Sequence, residues 1–235
     1  MKNTSKLLAK LSFAVLALAF LLTGCKKEEK IAPTDQQILE NKIQDIIPQK
    51  YLDTLKILGL TIHSSTTPPN VEGVYDISPT KLRSTNRPQD IVGSTGFNSK
   101  MKLFEQSPDD FSIRLLGKMF LSENDTSIAT AISGSGNNFT VYGKVKSVFG
   151  ENSAIIAIIL SATKDGDVLR NVEFGIINID NSNGGNVFIE EGQGRVWFDS
   201  DFISNTTNVF RMSDRNMTEN QPAQPGNTII SGVLK

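Results

Sequence analysis

Hydrophobic and polar positions change their period twice along this chain. Residues 11–22 are an apolar run from Leu11 to Leu22, interrupted by Ser12. From 34 to 58 the apolar residues fall at Leu39, Ile43, Ile46 and Ile47, then at Leu52, Leu55 and Leu58. That spacing lines one face of a helix. Thr34 with Gln37 three residues on forms a capping-box pattern. Pro48 divides the run, because it lacks an amide hydrogen and clashes with the preceding turn. It fits the first residue of a second helix, Gln49 to Leu58, with Gly59 at the left-handed stop. The apolar face is expected to pack on its own domain.

From Gly73 the period shortens to that of strands. The pattern predicts strands at Gly73–Ser78, Lys100–Gln106, Phe111–Leu121, Thr126–Ser133, Phe139–Phe149, Ser153–Thr163, Val168–Asp180 and Asn186–Phe198. Short polar or glycine-bearing turns separate most of them, such as Gly134-Ser135-Gly136-Asn137 and Lys164-Asp165-Gly166-Asp167. Parallel neighbours need a crossover of about a dozen residues, so these short links imply an antiparallel meander of about eight strands. Such a meander closes into a barrel or folds over as a sandwich. Phe139, Val141, Gly143 and Val145 share one side of their strand, and Tyr142, Lys144 and Lys146 the other. Ala154 to Leu160 is apolar on both faces, so something must cover its outside. The N-terminal helices are the candidates. The tail from Met212 is polar and proline-bearing until Thr228–Leu234, where a last strand is expected.

The apolar run at the start is preceded by Lys2, Lys6 and Lys10 and is followed by Leu22-Thr23-Gly24-Cys25. About a dozen residues is short of the roughly 20 that a spanning helix needs. The tetrapeptide resembles the lipobox of bacterial lipoproteins. The resemblance implies a signal peptide over 1–24, diacylglycerol on Cys25, and acylation of the new amino terminus. Two or three acyl chains hold a protein durably, at about 0.8 kcal/mol per buried methylene. Lys26-Lys27-Glu28-Glu29-Lys30 then resembles the surface-export signal of Bacteroidota lipoproteins; it also reads as a solvated charge run in a tether spanning 25–33. The expected location is the outer membrane of the cell envelope, by lipid anchor, with surface exposure implied by that second resemblance.

Cys25 is the only cysteine, so lipidation leaves no thiol for a disulfide or a nucleophile. Residues 1–24 carry three lysines and no acid, and their removal takes the formal charge from −1 to −4. A mildly acidic body without a basic stripe argues against nucleic acid. The expected organisation is a helical segment at 34–59, an antiparallel β domain at 60–211 and a polar tail at 212–235.

Candidate chemistry is sparse. His63 is the only histidine, which excludes the usual zinc clusters. It lies in a Ser/Thr/Pro stretch with no nucleophile-elbow motif near it, and reads as a surface loop residue. Acidic pairs occur at Asp109/Asp110, Glu190/Glu191 and Asp199/Asp201. Neither they nor Asp165-Gly166-Asp167 complete a calcium loop. The N-x-Ser/Thr triplets at Asn124, Asn138, Asn205 and Asn216 read as turn residues. No enzymatic activity, metal or cofactor is expected.

The most informative segment runs from Thr66 through Pro68-Pro69 to Gly73-Val74-Tyr75. Gly73-x-Tyr75, ahead of a meander, resembles the first-strand signature of lipocalin-like (calycin) barrels, which usually carry tryptophan where Tyr75 stands. That family places an arginine from the last strand over the aromatic ring, and Arg195, beside Trp197, is the match here. The resemblance implies a structural Tyr75–Arg195 stack and non-enzymatic binding of a small apolar ligand in the barrel mouth. The alternative is a β-sandwich surface module that binds a protein or glycan partner through its loops.

Overall fold

The computed structural model describes residues 32–96, 98–118, 121, 125–210 and 234–235. The expected signal peptide over 1–24, Cys25 and most of the tail lie outside the described residues. The first helix, α1, spans Asp35–Ile46, and Thr34 and Gln37 cap each other across its first turn. The second, α2, spans Gln49–Ile57, with Pro48 as its cap and not its first residue. The Pro48 carbonyl accepts from the amides of Tyr51 and Leu52, so the ring sits where no donor is missed. Gly59 ends the pair at φ +89°, as the left-handed stop requires.

All strand pairings among the named strands are antiparallel. Four strands form one sheet in the order β1 (Gly73–Ile77), β3 (Ser99–Phe104), β4 (Arg114–Lys118) and β5 (Asp125–Thr126). The second sheet runs β2 (Thr80–Thr85), β10 (Gly194–Asp199), β9 (Val168–Asn183), β8 (Asn152–Asp165), β7 (Asn138–Phe149) and β6 (Ala129–Ser135), with β11 (Ile203–Ser204) on β9. These pairings do not close into one continuous sheet. The chain passes between the sheets three times: at Ser78-Pro79 between β1 and β2, between Thr85 and Ser99 from β2 to β3, and at Ser127-Ile128 between β5 and β6.

Several sequence expectations shift. Strand β2 was hidden between Pro79 and Pro88, although Thr80 and Leu82 point inward and Lys81 and Arg83 outward. The strand expected at Asn186–Phe198 is confined to β10. Residues 184–193 form turns, and Phe188 and Ile189 are buried by them without a ladder. The strand expected at Phe111–Leu121 shortens to β4, with Phe111 at a left-handed φ of 55° ahead of it. Asn171, at φ 52°, sits in a bulge of β9, which lets both Leu169 and Val172 face the core. In the tail only Leu234 and Lys235 are described, and Leu234 makes an antiparallel bridge with Phe188.

Two apolar layers hold the domain. The larger lies between the sheets, where Tyr75, Ile77, Met101 and Leu103 meet Phe139, Phe174, Ile176 and Trp197. The smaller lies outside the second sheet. There Ile46, Tyr51, Leu52, Leu55 and Leu60 pack on Tyr142, Ala157, Ile159, Ile177 and Val196. The helices therefore cover the outer face of β8, as its two-sided apolar run requires. Tyr142, on the polar side of its strand by pattern, is buried under them. Its hydroxyl, 3.1 Å from Ser133 Oγ, is pushed up to about 12 by that burial.

Candidate binding cleft on the outer face

Between the helices and β1, residues 60–67 cross the outside of the second sheet as a strap. An isolated segment on a sheet face has no ladder to satisfy its backbone, so side chains must do it. The outward residues of successive strands supply that need. The amide of Thr61 donates to Glu173 Oε1 at 2.8 Å, and Ser161 Oγ donates to the Thr61 carbonyl at 2.6 Å. The His63 amide donates to Thr140 Oγ1 at 2.9 Å, and Ser133 Oγ donates to the His63 carbonyl. Thr140 and Ser161 join their hydroxyls at 2.8 Å. Ser84 Oγ reaches the Leu58 carbonyl just before the strap. At its far end, Thr66 forms a parallel bridge with Gly134. A row of polar side chains from β9, β8, β7 and β6 thus fixes one crossing segment.

Beside the strap is a cleft of about 290 Å³, lined by Thr61, His63, Arg83, Asn138, Asn171 and Phe202, with Glu173 at its base. Arg83 pairs with Glu173 and lies over the Phe198 ring, its Cζ 4.9 Å from the ring centre. Phe202, half exposed, stands 6.0 Å from Phe198. Both Glu173 oxygens are engaged, one by Thr61 and one by Arg83, so its carboxylate is committed to positioning the guanidinium. The cleft therefore offers a held cation, amides, an imidazole and an aromatic face. Those are groups that recognise a polar partner. A second cleft of about 270 Å³ runs between the helices and the strap, past Leu39, Ile43, Leu52, Ile62 and Tyr142.

Gly73 opens β1, and Tyr75 is fully buried two residues on. The expected stack of Arg195 on Tyr75 is not formed. Lys164 takes that place, its Nζ 5.1 Å from the ring centre and 3.0 Å from the hydroxyl. Arg195 pairs across β9 with Ile176, whereas Lys164 pairs with Leu169, seven residues away on the same strand. At about 3.3 Å per residue the two sites stand roughly 23 Å apart along it. Arg195 instead grips Asp90 and reaches the Leu234 carbonyl. Trp197 faces the core beside Leu82 and Phe174, with Gly96 so close that a Cβ there would sit 2.6 Å from the indole.

Among the acidic pairs, Asp199 and Asp201 act on each other, the Asp201 charge raising the Asp199 carboxyl, whereas Asp110, Glu190 and Glu191 are engaged by partners elsewhere. Asp110 binds Lys42 at 2.8 Å, which with Ser112 holds its carboxyl below the usual range. Glu191 accepts from Tyr51 and Lys50, while Glu190 meets Lys235. Asp165 pairs with Arg170 across the β8–β9 turn. Asp199 is buried and accepts from Ser204 Oγ at 2.6 Å. His63 is half buried in the strap and is not a free loop residue. Among the described residues, no group of three His, Cys, Asp or Glu is placed to hold a metal.

Comparison with protein-family models, with curated proteins and with solved structures finds no match. The reading of the cleft therefore rests on its own geometry. Sequence reasoning missed Arg83, Asn171 and Phe202. One signal was present: Glu173 is the lone carboxylate in the apolar stretch Val172-Glu173-Phe174-Gly175-Ile176.

Proposed function

We propose that this chain is a lipid-anchored lipoprotein of the bacterial cell envelope, with a lipocalin-like barrel as its body, that works by binding and not by catalysis. The barrel reading is supported by the two short passages between the sheets. If β1 with β2, and β5 with β6, each count as one kinked strand, eight strands follow one another around a ring. The Ile132 amide of β6 donates to the Phe111 carbonyl ahead of β4 at 2.9 Å, and the Thr207 amide after β11 donates to the Val74 carbonyl of β1 at 2.9 Å, bonds that link the two sheets through their flanking segments.

The observation that carries the binding reading is the contrast between the interior and the outer cleft. Trp197, Tyr75, Phe139 and Phe174 are all buried in the core between the sheets, where a small apolar ligand is expected. The cleft at Arg83 is open and sets charged and amide groups beside the Phe202 ring. That favours a protein or glycan partner recognised from outside over a small apolar ligand in the lumen. The test is capture from the envelope fraction of the source bacterium by the soluble fragment beginning at Lys26. Wild type is expected to retain a partner that an Arg83→Ala, Asn171→Ala variant loses at least tenfold. Equal retention by both overturns the cleft reading. The Cys25→Ser chain tests the anchor separately, since it is expected to leave the membrane fraction.

A further inference from the structure

At the Arg195 end of the domain, the pair Leu234-Lys235 lies as a short strand against residues 187–190. The Lys235 amide donates to the Val187 carbonyl at 2.9 Å, beside the Phe188–Leu234 bridge. The Leu234 side chain packs on the main core together with Val187. Its carbonyl accepts from Arg195 Nη1 at 3.3 Å and Nη2 at 3.4 Å, and Arg195 is itself buried and anchored by Asp90. Lys235 Nζ meets Glu190 Oε1 at 3.3 Å. Each element of a peptide-recognition groove is present: a backbone edge, an apolar socket, a fixed donor for the carbonyl and a carboxylate for the following side chain.

We propose that this groove is a docking site for an extended peptide strand carrying a branched apolar residue followed by a basic one, and that Leu234-Lys235 fills it in cis. Twenty-three residues, 211–233, separate the pair from the body of the domain at Phe210. Arg195, anchored by Asp90, fixes the backbone carbonyl, while the apolar socket and Glu190 select the side chains.

This groove lies apart from the Arg83 cleft, so its test is independent of the function proposed above. The full chain and its Leu234→Asp variant are titrated into a fluorescein-labelled, amidated peptide of residues 228–235. Anisotropy reports binding. The variant, whose own segment cannot seat a charge in the socket, is expected to bind the peptide at least 50-fold more tightly than wild type. Adding Glu190→Lys to that variant is expected to weaken binding at least fivefold. A folded variant that ignores the peptide overturns the proposal, as does equal binding by both chains. Loss of the native circular dichroism and Trp197 emission in the variant also overturns it, by showing that Leu234 is fixed core and not an exchangeable strand.

Discussion

Arg195 and Asp90 form a two-pronged ion pair, Nε to Oδ2 at 2.7 Å and Nη2 to Oδ1 at 2.8 Å, with both side chains buried. Arg87 adds a third contact to Asp90 at 2.7 Å. Burial alone would raise the Asp90 carboxyl, but the hydrogen bonds from Arg195 and Arg87 outweigh it and bring it to about 2. The pair ties the loop after β2 to the last long strand.

Removing one partner of a buried pair leaves the other desolvated. Arg195→Ala is therefore expected to destabilise the domain by about 3 kcal/mol in urea unfolding. The depressed carboxyl also sets an acid limit. Its contribution is whole above the unfolded value near 3.8 and is lost as the pH falls toward 2. About 2 kcal/mol should disappear across that window in wild type, and much less in Asp90→Asn. Unfolding midpoints measured from pH 5 down to pH 2 check both statements.

Asp199 carries the opposite sign. Burial raises its carboxyl first, the Ser204 hydroxyl draws it partly back, and the Asp201 charge pushes it up again, to about 6. The folded state thus keeps a proton that the unfolded chain releases near 3.8. Stability from this group falls as the pH rises from about 4 to about 6, then levels off. Asp199→Asn is expected to abolish that slope and to gain about 1–2 kcal/mol at pH 7.5, since the amide oxygen still accepts from Ser204. An unchanged slope in the variant contradicts the assignment.

The strap predicts a local effect. Ser161→Ala removes the donor to the Thr61 carbonyl and the partner of Thr140. Each buried polar group left unsatisfied costs about 1–3 kcal/mol. The loss is expected to concentrate in the strap, so the amides of Thr61 and His63 should exchange with solvent faster while those of β8 keep their protection. Uniform loss across the domain would show that the strap does not open separately.

Helix cover is the remaining structural test. Leu55 is fully buried between α2 and the sheet, and Leu55→Ala is expected to cost about 2–5 kcal/mol. Ile57, exposed on the same helix, should tolerate alanine with a change below about 0.5 kcal/mol.

Local pattern carried much of the fold. The apolar spacing of residues 39–58 placed both helices, and Ala154 to Leu160, apolar on two sides, announced that they would cover β8. The inward side of β7 was legible from Phe139, Val141 and Val145. Long-range choices were not. Nothing local tells Arg195 to select Asp90 over the Tyr75 ring, because that depends on which ends of β9 the loops reach. The strap has no local signature, since its order comes from single polar side chains on four strands far away in sequence. The outer cleft was invisible for the same reason: Arg83, Asn171 and Phe202 meet only after the sheet is assembled.

The central question is whether the space between the sheets is structural filling or a ligand chamber. Native mass spectrometry of the fragment beginning at Lys26, purified from its own source organism, answers it most directly. The expected spectrum shows the polypeptide mass with no stoichiometric small molecule released on activation. A small apolar molecule retained one to one, and lost when Phe174 or Trp197 is altered, would contradict the assignment of recognition to the outer cleft.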